Sequence, residues 1–510
     1  MDSIRDRLAG KPWTIVGLLV ALAAAYFVVT AIQHVVFSPL KHIPGPRINA
    51  LSRIPYIRHM LAGTTAKMTV DLHKQYGEVV RISPDEVSFI SGETAWGDIY
   101  GFRTGKLKGH LNTQKDPAWF PPPVNGAPSI LLAKDEQHSK GRRLLSNAFS
   151  EKALTEQEPL VNRYVDQLVD GLRDTIRTEK KPVNMTQWYN WTTFDIIADL
   201  LFGEPFGCLQ NKETHKYIAM LLEGLKAIHF TYIFRKFPLA KHFMGLLVDK
   251  KTIPSPDVRV NFQKWVSSQV QKRIDRETQR PDFMSHILAN NGEKGYEMSR
   301  AELDSNAQLF INAGSETTAT LLCGATYALC RNPDVLEKLK KEVRGRWTEY
   351  HDINVAEVSK APYLAAVISE ALRYFPPVPA GFNRRIPVGG EVVSGYYLPG
   401  GTSTTISQYA AYHSEMNFKD PDAFIPERWL DDPKYANDKR SACQPFSFGP
   451  RNCLGKNLAY AELRLIVAKM IWTFDMELDA ASNDWLERCQ VFTLWWKPAL
   501  LVKLTEAVRD

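Results

Sequence analysis

The chain has 510 residues, 44% hydrophobic and 23% charged, with a net charge of +7 at neutral pH. That balance excludes bulk disorder and allows a large core. The positive excess is mild and has no basic run interleaved with aromatics, which argues against nucleic acid as a partner. The six cysteines (Cys208, Cys323, Cys330, Cys443, Cys453 and Cys489) are scattered. None forms a CxxC pair, so zinc-ribbon and thioredoxin readings fall away, and the pattern suits a reducing compartment.

Taken in chain order, residues 13–32 (WTIVGLLVALAAAYFVVTAI) carry no charge. About 20 apolar residues at about 1.5 Å each span a hydrocarbon core of about 30 Å. The run therefore predicts one membrane-spanning helix, and it is longer than the apolar part of a signal peptide. Arg5, Arg7 and Lys11 precede it, beside Asp2 and Asp6. Lys41, Arg47, Arg53 and Arg58 follow it without nearby acids, which favours a cytosolic body. The segment LKHIPGPR at 40–47 cannot be helical, because two prolines flank a glycine. The expected division is a membrane anchor over residues 1–39 and one large body over 40–510. Two Asn-x-Thr triplets, at Asn184 and Asn190, matter only in a lumenal body and are expected to be unmodified.

The body reads as mainly α, with small β-sheets. Val161, Val165, Leu168, Leu172 and Ile176 form a helical stripe. Asn332-Pro333 opens another helix whose buried face is Leu336, Leu339 and Val343. Strand-like pieces lie at 79–90 around a Ser-Pro-Asp turn, at 392–406 around Pro-Gly-Gly, and at 491–504. No internal repeat or linker divides residues 50–510.

The string FSFGPRNCLG at 446–455 carries the first chemistry. Gly449 and Gly455 allow tight turns and close approach to a flat ligand, and Pro450 stiffens the loop. A helical pattern (Leu458, Ala461, Leu465, Ala468, Trp472) begins just after Cys453. Backbone N–H groups at a helix start, with Arg451 nearby, favour a thiolate. Such a thiolate suits an axial ligand for a metal that brings its other ligands, such as a haem iron. A lone cysteine in a Gly-rich turn is otherwise a packing residue; the whole string shifts the balance. Phe446-x-x-Gly449-x-Arg451-x-Cys453-x-Gly455 resembles the haem-binding loop of the cytochromes P-450, a family whose haem is held by a cysteine thiolate.

Three further motifs carry the resemblance. Glu370-x-x-Arg373 places a pair on one helical face, which alone would be an ordinary surface ion pair. The resemblance implies a buried triad completed by Arg428 of Pro426-Glu-Arg428-Trp. Ala313-Gly-Ser-Glu-Thr-Thr318 lies in the apolar stretch 309–329, where it would otherwise be a packing seam of small residues. Ala313 and Gly314 leave room over a flat cofactor. The Thr317 hydroxyl can bond the carbonyl of Ala313 and loosen the helix. Glu316 is expected to relay protons beside Thr317. His138-x-x-x-Arg142 shares a helical face that the resemblance aims at a haem propionate, although many family members carry Trp where His138 stands. Arg384 and Arg451 are the further propionate partners that it implies.

The resemblance covers nearly the whole chain and implies the family's α-rich fold with an N-terminal transmembrane helix. It implies haem b with Cys453 as axial ligand, NADPH–cytochrome P-450 reductase as electron donor with cytochrome b5 as a second, and a monooxygenation. The strings HSKGRRLLSNAFS, DAFIPERWL and PFSFGPRNCLGKNLAYAELRL resemble the fungal secondary-metabolism branch, where polyketide, terpenoid or alkaloid mycotoxin scaffolds are oxidised. The implied place is the endoplasmic reticulum membrane, single-pass, with the body in the cytosol. Oxidative coupling, desaturation or C–C cleavage by the same haem is an alternative outcome, and a non-enzymatic haem sensor or carrier an alternative class. Segments 119–123, 228–234 and 379–382 are expected near a lipophilic substrate, with the aromatic stretch 230–234 also dipping into lipid. Lys140, Arg143 and Lys456 are candidates to dock an acidic reductase.

Overall fold

The computed structural model describes residues 37–508, apart from 121, 238–255, 277–279 and 293–294, together with a few positions between 17 and 33. Most of the expected span at 13–32 lies outside the described residues. Among the described residues no helix is long and apolar enough to cross a membrane.

The body is helical with small sheets, as its periodicity predicts. Helix α1 (Ile54–Ala62) and α2 (Thr65–Tyr76) lead into the hairpin β1 (Val79–Ser83) and β2 (Glu86–Phe89), whose turn is the expected Ser-Pro-Asp. The two-residue β3 (Gln114–Lys115) precedes α3 (Asp135–Leu145), α4 (Glu151–Glu179), β4 (Val183–Asn184), α5 (Met185–Phe202), α6 (Lys216–Lys236) and α7 (Pro256–Asp275). Then come α8 (Arg300–Arg331), α9 (Pro333–Arg346) and α10 (Pro362–Tyr374). Strands β5 (Arg384–Arg385), β6 (Glu391–Val393), β7 (Tyr396–Leu398) and β8 (Ser403–Ile406) follow, then α11 (Lys456–Thr473), β9 (Phe474–Leu478), β10 (Gln490–Phe492), β11 (Leu494–Trp496) and β12 (Leu501–Glu506).

Helix α8 is the spine. Ser299 and Glu302 form a capping box at its start, satisfying two N–H groups that the helix leaves open. Its 32 residues extend about 48 Å at about 1.5 Å each. Helix α5 spreads its apolar residues around all its sides, as a helix covered on every side does; 16 of its 18 residues are buried, Asp195 and Asp199 among them, and it packs along α8. A Cβ on Gly314 would stand 2.8 Å from Ile197 Cδ1 of α5, so this glycine sets how closely the two helices approach. In α4, the Ser150 side chain caps the first turn, and Val161, Val165, Leu168 and Leu172 are buried as their spacing predicts.

The main sheet has the order β1-β2-β8-β5-β3. Among the described residues, only β2 and β8 of this sheet run parallel. At the far edge Lys115 pairs directly with Arg384, and Arg384 pairs with Thr404. The 392–406 stretch splits into β6, β7 and β8 at its glycines, and 491–504 splits into β10, β11 and β12. The expected lipid contact of 230–234 is corrected: Phe230, Tyr232 and Ile233 are buried in a cluster with Tyr56, Met60, Val80 and Ile82.

Candidate active site

The loop at 446–455 is shaped by one glycine above all. Gly449 has φ +75°, and a Cβ there would lie 2.1 Å from the Tyr100 carbonyl oxygen. The Cys453 N–H donates to the Phe446 carbonyl at 2.8 Å, which closes the loop just before α11. Cys453 is accessible, but to a cavity of about 250 Å³ rather than to the outside. Phe446, Arg451 and Gly455 line this cavity from the loop side, and Ala313, Gly314 and Thr317 line it from α8. A Cβ on Gly455 would meet only Phe149, at 3.8 Å. The space beside Gly455 is therefore left open toward the cavity.

The thiol itself differs from expectation. Burial pushes it up, while the Gly455 N–H, Arg142 and Lys456 pull toward the thiolate without prevailing. The helix start and nearby cations reduce the cost of the anion, and a bound metal would displace the proton outright.

Among the described residues, four basic side chains reach the cavity: Lys115, His138, Arg142 and Arg451. Arg142 donates to the Asn452 carbonyl at 2.6 Å and to Asn452 Oδ1 at 2.5 Å, so it braces the cysteine loop. Arg451 donates to the Ala133 carbonyl and to Asp135. His138 is held down to about 4 by burial first, then by Arg451 and Arg142; it is a neutral ring at neutral pH. Arg384 lines a neighbouring pocket of about 60 Å³ with His138, Asp135 and Arg451, and its Nε has no partner. Burial lowers it to about 10.

Lys115 was not picked out by its sequence context, because a two-residue strand carries no periodic signal. Its Nζ lies 4.2 Å from the Phe382 ring centre and 5.1 Å from that of Phe120. Burial, Arg384 and Arg451 all oppose its charge. Like charges directly opposite in a ladder are destabilising, and Lys115 faces Arg384 in that relation. A cavity with an available thiol at its floor, small residues on one wall and cations with unspent donors at its edge fits a flat, metal-bearing, dianionic cofactor. Changing Lys115 and Arg384 together to alanine is expected to leave the fold intact and to weaken cofactor retention several-fold, read as cofactor released on dilution and gel filtration.

Thr317 is where expected: its Oγ1 donates to the Ala313 carbonyl at 2.6 Å, and the residue lines the cavity. Glu316 is not among the lining residues. It is buried and ion-paired with Lys497, whose Nζ also donates to Thr320 Oγ1 at 2.8 Å. Among the described residues, the carboxyl that does line the cavity is Glu462 of α11. Burial raises it to about 8, opposed only by a bond with Thr318. Because Glu462 is raised from 4.5, its contribution to stability is full below about 4.5 and is lost as pH rises through about 8. Glu462→Gln is expected to flatten the fall in melting temperature between pH 7 and pH 9.

Behind the cavity the expected triad is complete. Glu370 receives Arg373 Nε at 2.9 Å and Nη2 at 2.7 Å. Arg428 Nε and Trp429 Nε1 reach the same carboxylate at 3.2 and 2.9 Å. Arg428 also pairs with Asp438, a fourth member with no local motif. Arg373 donates to the carbonyls of Tyr412, Pro421 and Ala423. The side chains of Glu370, Arg373 and Arg428 are 0% exposed.

The family model for cytochrome P450 matches residues 44–502. The chain belongs to the cytochrome P450 family and is a haem monooxygenase of its fungal secondary-metabolism branch; the family's haem is held by a cysteine thiolate. It is 57% identical over 500 residues to cytochrome P450 monooxygenase traB of Penicillium crustosum, covering 97% of this chain and 98% of that protein. It is 44% identical over 478 residues to averantin hydroxylase of Dothistroma septosporum, covering 93% and 88%. It is 40% identical over 493 residues to trichothecene C-15 hydroxylase of Fusarium sporotrichioides, covering 96% and 98%.

Proposed function

We propose that this protein hydroxylates a lipophilic small molecule in fungal secondary metabolism, with haem b in the cavity between α8 and the Cys453 loop. The observation that carries this reading is the placement of the Cys453 thiol on the floor of a cavity whose other lining is largely apolar. When bound, haem supplies the reduction of dioxygen and the insertion of one oxygen atom into a C–H bond. Cys453 would hold the iron through its sulfur. Lys115, Arg384 and Arg451 would hold the carboxylates.

The remaining work belongs to this chain's own residues. Ile130, Leu131, Leu309, Val378 and Phe382 line the cavity; they would exclude water and orient an apolar scaffold. The names of the relatives, an averantin hydroxylase and a trichothecene C-15 hydroxylase, support a polyketide or terpenoid substrate. Thr317 holds a hydroxyl proton at the cavity wall. Glu316 is the proposed source of further protons and reaches the cavity only by leaving Lys497. Residues 1–39 are the proposed membrane anchor, holding a cytosolic catalytic domain of residues 40–510 at the endoplasmic reticulum. NADPH–cytochrome P-450 reductase, with cytochrome b5 as a second donor, would dock over the outer face of the cysteine loop, where Arg142, Arg143 and Lys456 line a broad hollow.

Carbon monoxide added to the reduced, haem-loaded protein tests the assignment. A strongly red-shifted Soret band is the expected result. A band typical of histidine ligation would remove Cys453 from its proposed role.

A further inference from the structure

On the far side of the main sheet, a buried carboxyl ties three elements together. Glu86, the first residue of β2, is 1% exposed. The Tyr232 hydroxyl, in the last turn of α6, donates to its Oε1, and its Oε2 has no partner. Arg53 and Lys236 each stand 4.0 Å from Glu86. Both cations are engaged more closely by Asp85, Arg53 at 2.5 Å and Lys236 at 3.0 Å. Tyr56 of α1 meets Tyr232 edge-on, with ring centres 6.5 Å apart.

This cluster continues into the wall of the cavity. Trp119 packs on Tyr232 with ring centres 4.4 Å apart. Arg235, next to Lys236, donates to the carbonyls of Pro117 and Phe120. The Phe120 ring lies 6.3 Å from that of Phe382, which lines the cavity. The last turn of α6 therefore holds the 117–120 loop, and that turn is itself held by Glu86.

We propose that Glu86 is a proton-operated clasp on the substrate side of the cavity: neutral, it keeps the end of α6 and the 117–120 loop docked, and ionised, it lets them part from the sheet. The use of this motion for admitting a lipophilic substrate rests on the proposed function; the clasp itself does not. The charge balance supports it. Burial first, then Asp85, raises Glu86 to about 7, against Lys236, Arg53 and the Tyr232 bond. Tyr56 and Tyr232 stay neutral in this range, both raised by burial and by Glu86. Arg81 faces Asp85 from β1, and His229, two turns before Lys236, is held neutral by burial. Undocked in water, Glu86 returns toward 4.5, so the docked form binds the proton more tightly. Docking is therefore favoured in full below about 4.5 and loses that contribution as pH rises through about 7.

Hydrogen–deuterium exchange of the haem-loaded protein at pH 6 and pH 8, corrected for intrinsic exchange, tests the clasp. Amides of 115–120 and 229–237 are expected to open at least about threefold more at pH 8 than at pH 6. In Glu86→Gln they should stay at or below the wild-type pH 6 level at both values. In Tyr232→Phe they should already be raised at pH 6, which keeps the test decisive if the first variant folds poorly. Unchanged exchange in the wild type, a pH response that survives Glu86→Gln, or a response spread evenly over the chain would each overturn the proposal. The carbon monoxide spectrum of the same sample reports separately on the proposed function.

Discussion

A Cys453→Ser variant is expected to fold, to keep its helices and to lose monooxygenase turnover entirely. Serine is close to isosteric with cysteine, and apart from the Gly455 N–H at the sulfur the contacts that shape the loop do not use the side chain. The N–H of residue 453 still reaches the Phe446 carbonyl, Gly449 still turns under Tyr100, and Arg142 still grips Asn452. What disappears is the only thiol lining the cavity among the described residues. A serine hydroxyl does not yield its proton to a metal at neutral pH, so the soft anionic ligand that favours O–O cleavage in this family is gone. Circular dichroism and thermal melting should match the parent, while the red-shifted carbon monoxide band and product formation should both be absent. Product formed at the parental rate would mean that Cys453 is not the ligand.

Glu370→Ala is expected to give almost no folded, haem-loaded protein. Its carboxylate answers Arg373, Arg428, the Trp429 indole and the Ile425 N–H at once. With alanine there, Arg373 keeps only backbone carbonyls, and Arg428 keeps Asp438 and two longer contacts to carbonyls. Removing one partner from a buried ion pair costs about 3–5 kcal/mol, against a total stability of about 5–15 kcal/mol for a typical domain. Two arginines share this anion, so the upper part of that range applies. Soluble yield, haem content and urea midpoint check it together. Glu370→Gln should recover part of the loss, because the amide oxygen still accepts and the volume is kept. Parental haem content and midpoint in Glu370→Ala would show that the cluster does not hold the fold.

Much of this site was readable along the chain because its motifs are local. Thr317 and the Ala313 carbonyl are one helical turn apart, and so are Glu370 and Arg373; helix geometry alone brings each pair together. The pattern around Cys453 needed no distant residue either, since the turn and the following helix start lie within ten positions. The same local reasoning does not bring Glu316 to the cavity wall. Its neighbour Thr317 faces the cavity, but adjacent helical residues point about 100° apart, and which one faces the cofactor depends on how α8 is rotated. The stretch 230–234 failed for a related reason: an aromatic run meant for lipid and one meant for a core have the same composition.

The sequence by itself determined the family, the helical architecture, the cysteine loop and the pairing of Glu370 with Arg373, because each rests on spacings within a turn or two of chain. Only the tertiary structure decided which charges meet across it. Lys497 lies 181 positions from the Glu316 it neutralises, and Lys115 is set opposite Arg384 by a two-residue ladder. Glu462 faces the cavity with its carboxyl pushed up to about 8 by burial, and Glu86 is clasped by a tyrosine 146 positions away. A carboxyl's protonation depends on burial and on its nearest charges, and both are fixed by packing between elements far apart in the chain.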